Sequence, residues 1–155
     1  MGKQIIEKLL DYLEVEADIS ISTIKEKDSN TPIIEISGAD AGLLIGRHGA
    51  TLTSLQFIVN AILGRSQGSR ILIDVEEYRK KRILILENLA SRVASSAISS
   101  RKSITLEPMP ANERRIIHLT LADNQMVDTH STGSDQDRRV VVTPSNNQRG
   151  SANRR

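Results

Sequence analysis

The sequence predicts an α+β chain of two small folded units. An αββααβ unit occupies residues 1–75, a connecting helix 76–100, a small α/β unit 101–144, and a disordered basic tail 145–155. Three observations carry this reading. Apolar spacing switches between the helical and the strand period in a fixed order. Glycine, proline and Asn/Asp clusters punctuate the switches. The charge changes sign along the chain, and the change falls beside a glycine-bracketed loop.

The elements follow in order. Residues 3–13 read as a helix, because Ile5, Ile6, Leu9, Leu10 and Leu13 recur on one helical face. Ile19, Ile21 and Thr23 alternate with Ser20 and Ser22, as in a strand running to about Lys27. Asp28-Ser29-Asn30 is turn chemistry, and Pro32–Ser37 returns as the second strand of a hairpin. Gly38 ends that strand, and Asp40 is placed to cap a short helix over Ala41–Ile45. After Gly46-Arg47-His48-Gly49 a longer helix covers about Ala50–Leu63. Leu52, Leu55, Ile58 or Val59, and Ile62 share its face, and Gly64 stops it. Arg70–Val75 is the third strand.

A long helix then runs from about Glu76 to Ser99. Arg79-Lys80-Lys81-Arg82 fills its first turns, and Ala94-Ser95-Ser96-Ala97 lies near its end. Side chains that small either fray or pack closely against a neighbour. Ile104–Leu106 is a short strand. Pro108 and Pro110 precede a helix from Ala111 to about Ala122. Val127–Ser131 and Arg139–Thr143 form a hairpin around Gly133-Ser134-Asp135. The polar end, with Arg149, Arg154 and Arg155, reads as the disordered tail.

Composition narrows the functions. The chain has 155 residues and no cysteine, which excludes disulfides, thiolate metal sites and a cysteine nucleophile. A reduced, cytoplasmic location is the expectation. No apolar run reaches the roughly 18 residues of a membrane-spanning helix, and Glu7 and Asp11 spoil the first residues as a signal peptide. His48, His118 and His130 make a thin metal set without cysteine, and Glu76-Glu77 lacks a partner base. No metal, cofactor or catalytic residue is assigned, and a non-enzymatic protein is expected.

Charge points to a polyanion. Residues 1–43 carry 4 Lys/Arg against 9 Asp/Glu, whereas residues 44–155 carry 17 against 10. A basic remainder suits nucleic acid. The aromatic side chains are Tyr12, Phe57 and Tyr78 alone, too few for the multi-ring stacking platforms of several RNA-binding folds. Aliphatic surface, backbone and cations must then do the binding.

Gly46 and Gly49 enclose Arg47 and His48 between two helices. Glycine admits unusual φ and close backbone approach, and the loop leads into a helix N-terminus that favours phosphate. Arg47 can make charge-assisted contacts, and neutral His48 can donate a hydrogen bond. The stretch from Gly42 to Leu52 (Gly-Leu-Leu-Ile-Gly-Arg-His-Gly-Ala-Thr-Leu) resembles the KH signature, and the αββααβ order resembles the type II arrangement. The resemblance implies a loop that clamps the backbone of about four nucleotides, beside an apolar groove facing the bases. Ile45 and Leu52 would border that groove. Ile34 and Ile36 are nearer to plain core.

In the second unit, Arg114 and His118 are four apart and share a helix face. With Leu106–Met109 before them and Asp137–Val142 after, they resemble the small domain named for an Arg-x-x-x-His motif. That domain is associated with single-stranded nucleic acid. Arg115, Arg138 and Arg139 are candidate auxiliary phosphate contacts. The tandem order over about residues 3–144 resembles the Jag family, also called KhpB. Many of its members carry an extra N-terminal Jag domain, and this sequence starts directly at the KH helix. Asn112 stands where many relatives have tyrosine.

The resemblance implies a single-stranded RNA-binding protein (single-stranded DNA being the variant partner). It would act as an RNA chaperone or post-transcriptional regulator linked to cell-envelope and cell-length control. The alternative it implies is an adaptor for a membrane-protein insertase, or a heteromer with a small KH-domain protein, with no integral membrane segment of its own.

Overall fold

The computed structural model describes residues 2–26, 29–64 and 70–145. The expected turn residue Asp28, the strand end at Lys27 and all of the expected 145–155 tail except Ser145 lie outside the described residues; the Ser145 N–H donates to the Met126 carbonyl at 2.8 Å. The chain forms two compact units, Met1–Lys80 and Lys81–Arg155.

The first unit contains helix α1 (Gly2–Tyr12), strands β1 (Asp18–Glu26) and β2 (Ser29–Ser37), helix α2 (Ala41–Ile45), helix α3 (Ala50–Gly64) and strand β3 (Leu72–Val75). This is the expected αββααβ order. The sheet runs β1-β2-β3, antiparallel in the hairpin and parallel between β2 and β3. Strand β2 begins at Ser29 rather than Pro32. β3 pairs only from Ile33 onward, so at Pro32 only β1 lies alongside, and a residue without an N–H is tolerated there.

Alternation places Ile34 and Ile36 of β2 and Ile73 and Val75 of β3 on the buried face. They meet Ile6 and Leu10 of α1 and Ala41 and Leu44 of α2. The inward stripe of α3 is Leu52, Leu55, Val59 and Leu63. Ile62, expected on that face, is half exposed, and so is Ile58. Either set fits the helical period, and the sheet decides between them. Asp40 occupies the N-cap position of α2 but makes no side-chain capping bond, so the expected cap is positional only.

The long helix starts two residues later than expected. Glu76 and Glu77 both take left-handed backbone, φ 52° and 53°, which ends β3 and turns the chain into α4 (Tyr78–Ser100). Glu76 is held there from both sides. Its N–H donates to the Ile36 carbonyl at 3.0 Å, and its carboxylate accepts from the Gly38 N–H at 3.1 Å.

The second unit contains most of α4, strand β4 (Ile104–Thr105), helix α5 (Ala111–Leu121) and strands β5 (Val127–Thr132) and β6 (Arg139–Pro144). Its sheet is antiparallel in the order β4-β6-β5. The expected connecting helix has a packing role here. Leu86, Ala90, Ala94 and Ala97 of α4 are buried against Ile117 and Leu121 of α5, Val127 of β5 and Val140 and Val142 of β6. The small-residue end of α4 is helical and its alanines are buried, so it does not fray. Its serines turn outward, and Ser91, Ser95, Ser96 and Ser100 donate to carbonyls four residues back. Arg82, early in the helix, makes a two-pronged ion pair with Glu113 of α5, at 2.7 and 2.9 Å.

Candidate nucleic-acid interface

The Gly46 loop is a single 3-10 turn, Arg47–Gly49, between α2 and α3. Its shape needs three left-handed residues: Gly46 at φ 68°, His48 at φ 52° and Gly49 at φ 76°. The glycines do different work. Gly46 is exposed, and a Cβ there would fall 2.1 Å from the Thr51 hydroxyl. Gly49 is buried, and a Cβ there would fall 2.7 Å from the Tyr78 ring. Gly49 therefore admits the tyrosine that backs the loop, and Gly46 makes room for Thr51 at the start of α3. The Gly49 N–H donates to the Gly46 carbonyl at 3.3 Å, closing the turn.

This geometry sorts the expected residues. Arg47 is exposed at the tip, while His48 is half buried. Ile45 is half buried and packs on the core. Leu52, expected to border a base-facing groove, is 2% exposed and belongs to the core, because α3 turns it toward the sheet. Ile34 and Ile36 are core as expected.

The second group of residues gathers on α5 and the β5–β6 hairpin. Arg114, Arg115, His118 and Arg138 line one shallow pocket, together with His130 and Ser131. Among the described residues no carboxylate lines it. Arg139 falls outside it, with Nε donating to the Asp137 carbonyl at 3.0 Å. Arg114 is steadied by its Nε–H to the Met109 carbonyl at 3.3 Å, and Arg138 by Nη1 to the Gly133 carbonyl at 3.3 Å. Arg115 is exposed.

His118 differs from a free surface imidazole. Nδ1 is 2.7 Å from the Thr129 hydroxyl and Nε2 is 2.9 Å from the Ser131 hydroxyl. In a neutral ring one nitrogen donates and the other accepts, and a hydroxyl suits either. Both nitrogens are thus engaged, and the ring joins α5 to β5 inside the pocket. Desolvation by burial, then the positive Arg114 and then His130, hold its pKa below the usual 6.5. The unfolded chain therefore takes up a proton near 6.5 before the folded one does, so stability should rise with pH through that window. In an NMR titration the His118 ring should protonate later, on lowering pH, than a histidine in the urea-unfolded chain. An ordinary or raised value would contradict the partly buried, cation-flanked setting.

Thr129, His130 and Ser131 were not legible as site residues. The available signal was the alternation of hydroxyls at 129 and 131, which β5 turns toward α5 while His130 stays exposed. Among the described residues no cluster of His, Cys, Asp or Glu could hold a metal ion. No described helix is long and apolar enough to cross a membrane.

A model of the KhpA/KhpB KH domain matches residues 3–75, and a model of the Arg-x-x-x-His-motif domain matches residues 84–144. The RNA-binding protein KhpB of Clostridium symbiosum is 36% identical over 143 residues, which is 90% of this chain and 63% of that protein. The protein of the same name in Bacillus subtilis is 34% identical over 146 residues, 92% of this chain and 68% of the relative. In Lactiplantibacillus plantarum the identity is 34% over 142 residues, 88% and 44% of the two chains. The chain thus spans between 44% and 68% of the length of these relatives.

Proposed function

We propose, given that this chain belongs to the KhpB (Jag) family of proteins that pair a KH domain with an Arg-x-x-x-His-motif domain, that it binds single-stranded RNA with two phosphate grips. The observation that carries the reading is the Gly46–Gly49 turn. Its left-handed residues hold Arg47 outward at the start of α3, where a helix N-terminus and a guanidinium converge on an anion. The second grip is the arginine pocket of Arg114, Arg115 and Arg138. His118 acts there by holding α5 to β5. Two grips on one chain raise affinity through effective concentration. The names of the relatives support RNA as the polyanion.

Fluorescence anisotropy with a single-stranded RNA oligonucleotide tests this. Each phosphate neutralised adds about −0.7 to the slope of log affinity against log salt. Arg47, Arg114, Arg115 and Arg138 together should give a slope of about −3. A flat salt dependence would remove the phosphate-grip reading.

The finer role follows the family: an RNA chaperone or post-transcriptional regulator in the cytoplasm, connected with the cell envelope and paired with a small KH-domain protein. A protein-adaptor reading has its own support. Glu7, Asp11, Glu16 and Asp18 rim a hollow in the first unit, an acidic face suited to a basic protein partner. Co-purification with and without ribonuclease separates the two, since RNA-bridged partners disappear on digestion.

A further inference from the structure

We propose that Phe57 stacks on a base of the bound RNA, in a groove between α3 and the outer edge of β3 that accepts any base. This rests on the RNA-binding reading above and extends it to a residue with no assigned role.

Phe57 is 74% exposed on α3. It belongs to no core cluster, although a phenylalanine in water forgoes the stabilisation that burial would bring. It lies on a stripe with Thr53, Gln56 and Asn60 that faces Arg70 and Leu72 across a groove. The stripe begins at the Gly46 loop, where the Thr53 hydroxyl donates to the Gly49 carbonyl at 2.9 Å. Phe57 stands two turns into α3, about 10 Å along the helix axis from its start. A strand whose phosphate sits at the loop can therefore lay a neighbouring base on the ring.

The groove has a closed polar wall. β3 is an edge strand, and its outward backbone groups would be the natural readers of base edges. Those at Ile71, just before β3, and at Ile73 are already occupied, the Ile73 carbonyl by the Arg79 guanidinium. The Ile71 N–H donates to Asn60 Oδ1 at 2.9 Å, and Asn60 Nδ2 donates back to the Ile71 carbonyl at 3.0 Å. The Ile73 N–H donates to Gln56 Oε1 at 2.8 Å, and Gln56 Nε2 also reaches the Ile71 carbonyl. What remains for a base is the ring face of Phe57 and the aliphatic Leu72. Stacking on a ring is indifferent to base identity, because every base has a π-face. Charge favours the same occupant. Arg70 lines the groove and, among the described residues, no carboxylate does, whereas the hollow rimmed by Glu7, Asp11, Glu16 and Asp18 repels a polyanion.

The test uses the full chain and homo-oligomers of A, C and U. Phe57→Ala should weaken binding to all three by similar factors, on the order of 5- to 150-fold, the range of one lost base stack. Phe57→Trp should bind as the parent does. The chain has no tryptophan, so that variant carries a single reporter, and RNA should quench its emission. Circular dichroism checks the helices, and if the alanine chain is misfolded, Phe57→Leu, which keeps the bulk without the ring, is read in its place.

Unchanged affinity together with unquenched tryptophan overturns the proposal. So does a loss confined to one base, or a change in self-association without a change in RNA affinity. If Arg47→Asp/His48→Asp loses binding while the Phe57 variants do not, only the stacking role fails. If the parent chain ignores single-stranded RNA, the underlying reading fails with it.

Discussion

An Arg82→Leu chain is expected to lose about 3–5 kcal/mol of the second unit's stability, because it removes the two-pronged partner of a buried carboxylate. Glu113 is 3% exposed, and Arg82 meets its two oxygens with Nε and Nη2 at 2.7 and 2.9 Å. The exposed Lys3–Glu7 pair of α1, at 3.6 Å, pairs the same kinds of charge in water and is worth only about 0.3–0.5 kcal/mol. Burial makes the difference. Small domains hold about 5–15 kcal/mol in total, so the variant should be partly unfolded at modest urea concentrations. The second unit has no aromatic residue, and far-UV circular dichroism is the suitable probe. Replacing both partners, Arg82→Leu with Glu113→Leu, should recover most of the loss, since a matched apolar pair strands no charge. Equal urea midpoints for Arg82→Leu and the parent would show that the pair holds nothing together.

The second large effect concerns binding. Arg47→Asp with His48→Asp should lower affinity for single-stranded RNA by on the order of a hundredfold or more. A hydrogen bond to a charged group is worth about 1.5–3 kcal/mol, each 1.4 kcal/mol is about tenfold, and the new carboxylates add repulsion. The fold should survive. Arg47 is exposed, and aspartate tolerates the left-handed backbone that His48 adopts at φ 52°. Anisotropy gives the affinity and circular dichroism the fold. Parental affinity in a folded variant would take the loop out of the interface.

What the amino-acid sequence discloses depends on how local each cause is. The αββααβ order follows from periods of two and 3.6, which neighbouring residues set among themselves. The loop is legible for the same reason, since Gly46 and Gly49 bracket it within four residues. Distant causes are not legible. The left-handed Glu76 depends on Ile36 and Gly38, some forty residues back. Whether Ile62 or Leu63 turns inward depends on where the sheet lies. Leu52 fits the edge of a groove as well as the core, and its position on α3 sends it inward. His118 looks like an exposed phosphate ligand until β5 brings Thr129 and Ser131 to both its nitrogens. The rarity of aromatics argues against a platform of several rings, but composition cannot report that one of them, Phe57, is left in solvent.

The alanine stripe of α4 has a mechanical consequence. Ala90, Ala94 and Ala97 are almost fully buried in the second unit's core, so the space each fills there is methyl-sized. Rotating α4 by one residue would press Ser91, Ser95 and Ile98 into the space of methyl groups. The two serine hydroxyls would enter that space still bonded to carbonyls of their own helix. Overpacking of that kind costs roughly 1–3 kcal/mol per site. The second unit therefore grips its helix like a keyed shaft, which resists both twist and slip about its own axis.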